Sequence, residues 1–400
     1  MAAHELSRTS FGAYSLAFYG YGICVGISYA VGGEPFQVRF SHGAAPGLVR
    51  SAGQVLGTAI AVAGLGTAIM VLLGVVVVQL RGPFVVAGVA LPGLLVQDAV
   101  RQIYFAEGRP SWASLNDGIW VGVSAAAVCA LLVTGTAHTA TFLMAAWAAG
   151  AWIAGAVGLA HLRITPRPFQ FPAWLRENRS LAVTFVVDFV SMTGAGQLVI
   201  YLLPLIVSLA AVGSMRGAYL LYGPLTVAMA GSRLFGIPEG VRILRNGALA
   251  LRRFEFLYGG CVSTLAVIYL VGLHFIPTVW GQAVLGANWA GTSPLLFWIG
   301  VAMVGSAMAV APFQGLRVLK AGRRILWARL FDAPVTIVLS VLGALGGGVR
   351  GAAAGIALAK VVAASAWWVQ FLRATADHGQ NSSAAAPAMM ATDSQRSRAR

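Results

Sequence analysis

Apolar positions in this chain come in unbroken runs of about twenty residues, long enough to cross a hydrocarbon layer roughly 30 Å thick. Most charged positions fall in the short breaks between the runs. The pattern predicts about eleven transmembrane helices, over residues 11–31, 53–79, 84–105, 117–137, 140–161, 181–203, 213–236, 254–276, 293–313, 325–345 and 351–372. No break exceeds about twenty residues, so neither membrane face carries a soluble domain. From about Thr375 the chain is rich in Ala, Ser, Gln and Arg, a composition that buries no core and predicts a disordered tail.

Composition supports the same class. Hydrophobic residues make up 58% and charged residues 10% of the 400 residues, against roughly 25% charged in soluble domains. The expected fold class is therefore an all-α integral membrane protein. The net charge of +15 does not point to nucleic acid, because the arginines sit in short loops between apolar runs. One set of loops carries Arg39 and Arg50, then Arg109, then Arg163, Arg167, Arg176 and Arg179, then Arg242, Arg245, Arg252 and Arg253, then Arg317, Lys320, Arg323 and Arg324. The alternate loops carry only Arg81, Arg216 and Arg350. The basic set is expected in the cytoplasm, against anionic lipid headgroups, in a multi-pass inner or plasma membrane protein. The C-terminus is then inside and, with eleven spans, the N-terminus outside. Residues 1–10 do not form a signal peptide, since Glu5 and Arg8 precede the first run without a basic cluster. Cys24, Cys129 and Cys261 lie inside apolar runs and read as packing residues. The histidines at 4, 42, 138, 161, 274 and 378 have no ligand spacing. No metal site, cofactor motif or catalytic constellation is expected, so the chain does not read as an enzyme.

The two halves share a string. Gly108-Arg109 is followed by Trp112-Ala113-Ser114-Leu115-Asn116-Asp117, and Gly322-Arg323 by Trp327-Ala328-Arg329-Leu330-Phe331-Asp332. Gly12-Ala13-Tyr14 matches Gly217-Ala218-Tyr219, and Glu34-Pro35 before Val38-Arg39 matches Pro238-Glu239 before Val241-Arg242. Similar offsets and the same membrane side imply a parallel duplication. The expected lobes are 1–165 with five helices and 166–374 with six, followed by the tail 375–400. A full helix over 181–203 precedes the second Gly-Ala-Tyr helix and none precedes the first, so the first lobe is expected to lack its first helix.

The strings "FGAYSLAFYGYG…GGEPFQVRFS", "LLVQDAVRQIYFAEGRPSWASLNDGIW", "SMRGAYLLYGPLTV…GIPEGVR" and "VLGANWAGTSPLL…FQGLRVLKAGR" resemble polysaccharide-biosynthesis flippases of the multidrug/oligosaccharidyl-lipid/polysaccharide exporter superfamily, in an actinobacterial flavour. The resemblance runs from about Phe11 to Arg373. It implies a V-shaped, MATE-like pair of lobes around a central cavity, and movement of a polyprenyl-diphosphate-linked oligosaccharide to the outer leaflet. It also makes a polysaccharide polymerase a candidate partner. The absent first helix departs from the family. The alternatives are a drug or metabolite exporter of the same superfamily, a membrane glycosyltransferase or polymerase acting on the same lipid, and an inactive remnant.

Within that frame several residues stand out. Lys360 lies near the middle of the last run, where a charge costs about 2.5–3.5 kcal/mol; it either faces the cavity and meets the diphosphate or pairs with an acid on another helix. Asp188 is a candidate for ion coupling or for that pairing, and Asp332 is a second coupling candidate. Asp98 and Arg101, three apart, predict a local ion pair, with Arg101 at the cavity mouth as the alternative. Asp117 reads as a helix-start group. Arg233 either snorkels to the interface or lines the cavity. Glu34-Pro35 and Pro238-Glu239 read first as helix stops.

Overall fold

The computed structural model describes the backbone of residues 1–40 and 47–398, and the side chains of all of these but Met192, Leu234 and 380–398. His42 lies outside the described residues. No strand occurs among them. The helices are α1 (Arg8–Arg39), α2 (Leu48–Val76), α3 (Arg81–Ala106), α4 (Pro110–Val133), α5 (Ala140–Leu162), α6 (179–206), α7 (Leu209–Leu221 bending into Gly223–Leu244), α8 (Ala248–His274), α9 (Thr278–Val318), α10 (322–346) and α11 (349–398). Among the described residues, eight helices are long and apolar enough to cross a membrane, or nine if the two parts of α7 form one span. The break between α10 and α11, and α6 with its π turn, bring the segments to the eleven of the hydropathy pattern. Surface Leu65, Val133, Val227 and Leu257 are each more than 60% exposed, which suits lipid-facing helices and not a water-facing surface.

Three expectations about element ends are corrected. Glu34-Pro35 does not stop α1. The helix widens into a π turn over Tyr29–Gly33 and resumes through Arg39. Pro35 offers no amide to the carbonyl four residues back, and that oxygen, on Val31, accepts instead from the Trp174 indole at 3.0 Å. Pro238-Glu239 likewise lies inside Gly223–Leu244. The fourth helix begins at Pro110, seven residues earlier than its apolar run: Gly108 breaks the chain at φ 69° and Pro110 is preset for a first turn. Asp117 is therefore two turns inside α4 and is not a helix-start group. The backbone of α11 is helical to Arg398.

By packing, the chain divides into one unit of Met1–Arg216 with Gln282–Trp289, and a second of Gly217–Gly281 with Ala290–Arg400. Residues 166–216 thus pack with the first unit, although the repeat groups 166–203 with the second lobe. The physical ties are specific. Besides Trp174, the Tyr201 hydroxyl donates to the Leu16 carbonyl at 3.1 Å, which fastens α6 to α1. In the first unit α3 is the central helix, packed against α1, α2, α4 and α5. The Asn288 side chain donates to the carbonyls of Ala3 and Leu6, both at 2.7 Å, and ties Gln282–Trp289 to the N-terminal residues.

In the second unit, residues 296–308 of α9 pack against α8 and against the α10–α11 hairpin. Leu251, Leu316, Val318, Ala328, Trp367 and Phe371 close one end of it as a buried apolar cluster. The hairpin itself is set by glycine. A Cβ on Gly351 would lie 1.9 Å from the Gly343 carbonyl oxygen, and one on Gly355 2.1 Å from that of Leu339. These neighbours are backbone, so no side chain can move aside. Gly351→Val is expected to destabilise the protein by about 1–3 kcal/mol or more, read as a lower thermal midpoint in detergent. Gly346→Ala, which meets open space, serves as the unperturbed control.

Candidate functional site

The charges inside the membrane-spanning helices gather in two places in the first and second units, and a third group is almost purely cationic. In the first unit, α3 presents Gln97, Asp98, Arg101 and Gln102 on one face through i,i+3 and i,i+4 spacing. Arg101 bonds Asp98 directly and reaches Asp117 of α4 at 3.8 Å. Gln97 donates to the other Asp117 oxygen at 2.7 Å. On the far side Gln102 meets Asp98 at 3.5 Å and accepts from Gln37 of α1, which in turn accepts from the Tyr29 hydroxyl at 3.4 Å. Asp98 is nearly buried. A charge at this depth is costly unless paired and hydrogen-bonded, and here the network supplies its own partners. Arg101 stands between two carboxylates, so its charge is already matched inside the protein.

In the second unit, Lys360 of α11 donates to Asp332 of α10 at 2.9 Å, and Thr336 adds a hydrogen bond to the same oxygen at 3.0 Å. Asp332 therefore takes the pairing place considered for Asp188, which lies half-buried on α6. Asp117 and Asp332 end the two copies of the Trp-Ala-x-Leu-x-Asp string, and each faces a cation from another helix of its own unit.

The third group surrounds Phe313 of α9. The guanidinium carbons of Arg317, Arg329 and Arg233 lie 4.8, 5.7 and 5.9 Å from its ring centroid, within cation–π range. They come from the end of α9, from α10 and from α7. Trp367 of α11 packs edge-on behind the ring at 5.5 Å. Arg233 is half-buried, and its Nε has no hydrogen-bond partner among the described residues. Neither Arg233 nor Arg317 has a carboxylate within ion-pair distance among those residues. Gathering like charges is unfavourable unless an anion offsets them, so the adjacent Arg233 and Arg317 are suited to an oxyanion, which guanidinium groups grip through paired hydrogen bonds.

Sequence reasoning singled out Arg233 but not its companions. Arg317 sits among loop cations and Arg329 inside the repeated string of the tenth run, and nothing in their spacing shows that they converge on one ring. Glu255 was missed as well. It is 0% exposed on α8, and neither carboxylate oxygen has a hydrogen bond among the described residues. Its place two residues after Arg253, at the edge of the apolar run, gave it the look of a loop flank. Among the described residues, no group of three or more His, Cys, Asp or Glu is arranged to hold a metal.

The fold is that of the transporters exemplified by MurJ and the MATE proteins. Solved structures similar to the chain include the lipid II flippase MurJ in an inward closed conformation, with a TM-score of 0.67 and 10% identity over 93% of this chain and 87% of that one. An inward-facing multidrug resistance MATE family transporter of the MOP superfamily gives 0.60 and 15% over 92% and 91%. A MOP superfamily transporter from Pyrococcus furiosus gives 0.54 and 12% over 92% and 88%. No protein-family model matches the chain, and neither does any curated protein.

Proposed function

We propose that this protein is a membrane transporter, not an enzyme, that moves a polyprenyl-diphosphate-linked oligosaccharide from the cytoplasmic to the outer leaflet by alternating access. The observation that carries the proposal is the convergence of Arg233, Arg317 and Arg329 on Phe313. A sugar headgroup does not cross hydrocarbon unaided, and a diphosphate needs cationic partners to leave water. Arg233 and Arg317, from two helices, supply them, and the likeness to a lipid II flippase in fold supports the class. In this reading Arg233 contacts the phosphate, while Arg101 and Lys360 keep their carboxylate partners and hold helices together. The same reading sets the C-terminus in the cytoplasm and the N-terminus outside, with Asp188 as the coupling residue. The test is rescue of a strain whose oligosaccharide flippase has been deleted. The expected result is restored surface polysaccharide; no rescue, with the protein present at normal membrane abundance, overturns the reading.

Glu255 favours a second reading, a cation-coupled exporter of the same fold, because such coupling needs a carboxylate committed inside the membrane. The two readings separate on one variant. Under the first, Glu255→Gln leaves lipid-linked sugar transport unchanged. Under the second, wild-type protein extrudes cationic dyes down an imposed proton or sodium gradient, and Glu255→Gln abolishes that.

A further inference from the structure

A cavity of about 670 Å³ opens in the second unit where α10 begins and α11 nears the end of its apolar stretch. Lys320, Arg323, Arg324 and Arg373 line it, together with Trp327 and Gln370. Arg324 is held in place by Gln370 at 3.4 Å and by Asp377, which is mostly exposed. Lys320, Arg323 and Arg373 have no ion-pair partner among the described residues. Four cations therefore face a single peripheral carboxylate, and the first turn of α10 adds amide groups favourable to an anion.

The position sets what kind of anion suits the site. The cavity lies at the ends of two membrane-spanning helices, the depth of lipid headgroups, and an exposed tryptophan at that level is an interfacial anchor. On α10, Arg323, Trp327 and Leu330 follow one another at i,i+4 and i,i+3, so they form one stripe. Trp327 and Leu330 are both more than half exposed. The stripe passes from a cation to apolar surface within two turns, matching a phosphate joined to an acyl chain. A free phosphate would use the cations and leave the apolar part of the stripe without a role.

We propose that this cavity binds the phosphate headgroup of an anionic phospholipid, whose acyl chain lies along Trp327 and Leu330. The proposal is independent of the transported substrate, since it uses none of the arginines around Phe313. The test is native mass spectrometry of the full chain in neutral detergent with dioleoylphosphatidylglycerol or dioleoylphosphatidylcholine. Wild-type protein should retain the glycerol lipid in preference to the choline lipid. Arg323→Gln combined with Arg373→Gln should lower that retention severalfold at an unchanged thermal midpoint, and Arg81→Gln, away from the cavity, should not. Equal retention of the two lipids, or equal retention by wild type and the double variant, overturns the proposal. So does a rise in the wild-type midpoint with inorganic phosphate alone that the double variant lacks, which would make the ligand a free phosphate.

Discussion

Replacing Arg233 with glutamine is expected to lower transport of a diphosphate-linked lipid roughly ten- to a hundredfold, with the amount of folded protein unchanged. The magnitude follows from one charge-assisted hydrogen bond, worth about 1.5–3 kcal/mol, at about tenfold per 1.4 kcal/mol. Stability should hold because Arg233 has no carboxylate partner to strand, and its Nε is already without a bond. Removing one of several like charges also relieves repulsion from Arg317. Arg317→Gln should act in the same direction, and the double variant should lose transport entirely. The check is flipping rate per folded molecule in reconstituted vesicles. A variant that transports normally would show that the cluster is structural.

Lys360→Ala is expected to act differently, through the fold. Removing the ammonium leaves Asp332 in a membrane-spanning helix with Thr336 as its remaining side-chain donor among the described residues. The cost should be about 2–3 kcal/mol, near the insertion cost of a lone charge, because the pair is about three-quarters buried. Abundance and thermal midpoint should both fall. Asp332→Leu in the Lys360→Met background should recover most of the loss, since matched apolar residues often replace a buried pair without penalty. Transport should recover along with stability. A double variant that folds normally but does not transport would place the ammonium on the substrate instead.

How much of this was legible in the sequence depended on the range of the interaction. The eleven segments are written in local apolar runs, and the helical pair Asp98–Arg101 in a spacing of three. Asp332 was visible through the repeat, but its meeting with Lys360 depends on how the hairpin at Gly347–Gly348 brings α10 against α11, which no local pattern encodes. The start of α4 was misjudged because Pro110 and the polar residues after it carry no apolar signal, although Gly108 and Pro110 together mark a boundary. The π turn in α1 was hidden for a related reason: Pro35 signals a stop unless a distant donor, here Trp174, satisfies the orphaned carbonyl. The ring of arginines was the least legible, because three cations far apart in the chain converge only when three helices carry them to one phenylalanine.

The central claim is that the arginines around Phe313 receive the phosphate of a lipid-linked substrate. Its most direct test places purified protein in vesicles with a polyprenyl-diphosphate-linked oligosaccharide confined at first to one leaflet, and follows the access of an impermeant sugar-modifying reagent to the other. The account predicts protein-dependent appearance of the sugar across the bilayer, lost when Arg233 and Arg317 are both glutamine. Appearance at the same rate with that variant, or none with correctly folded wild-type protein, would contradict it.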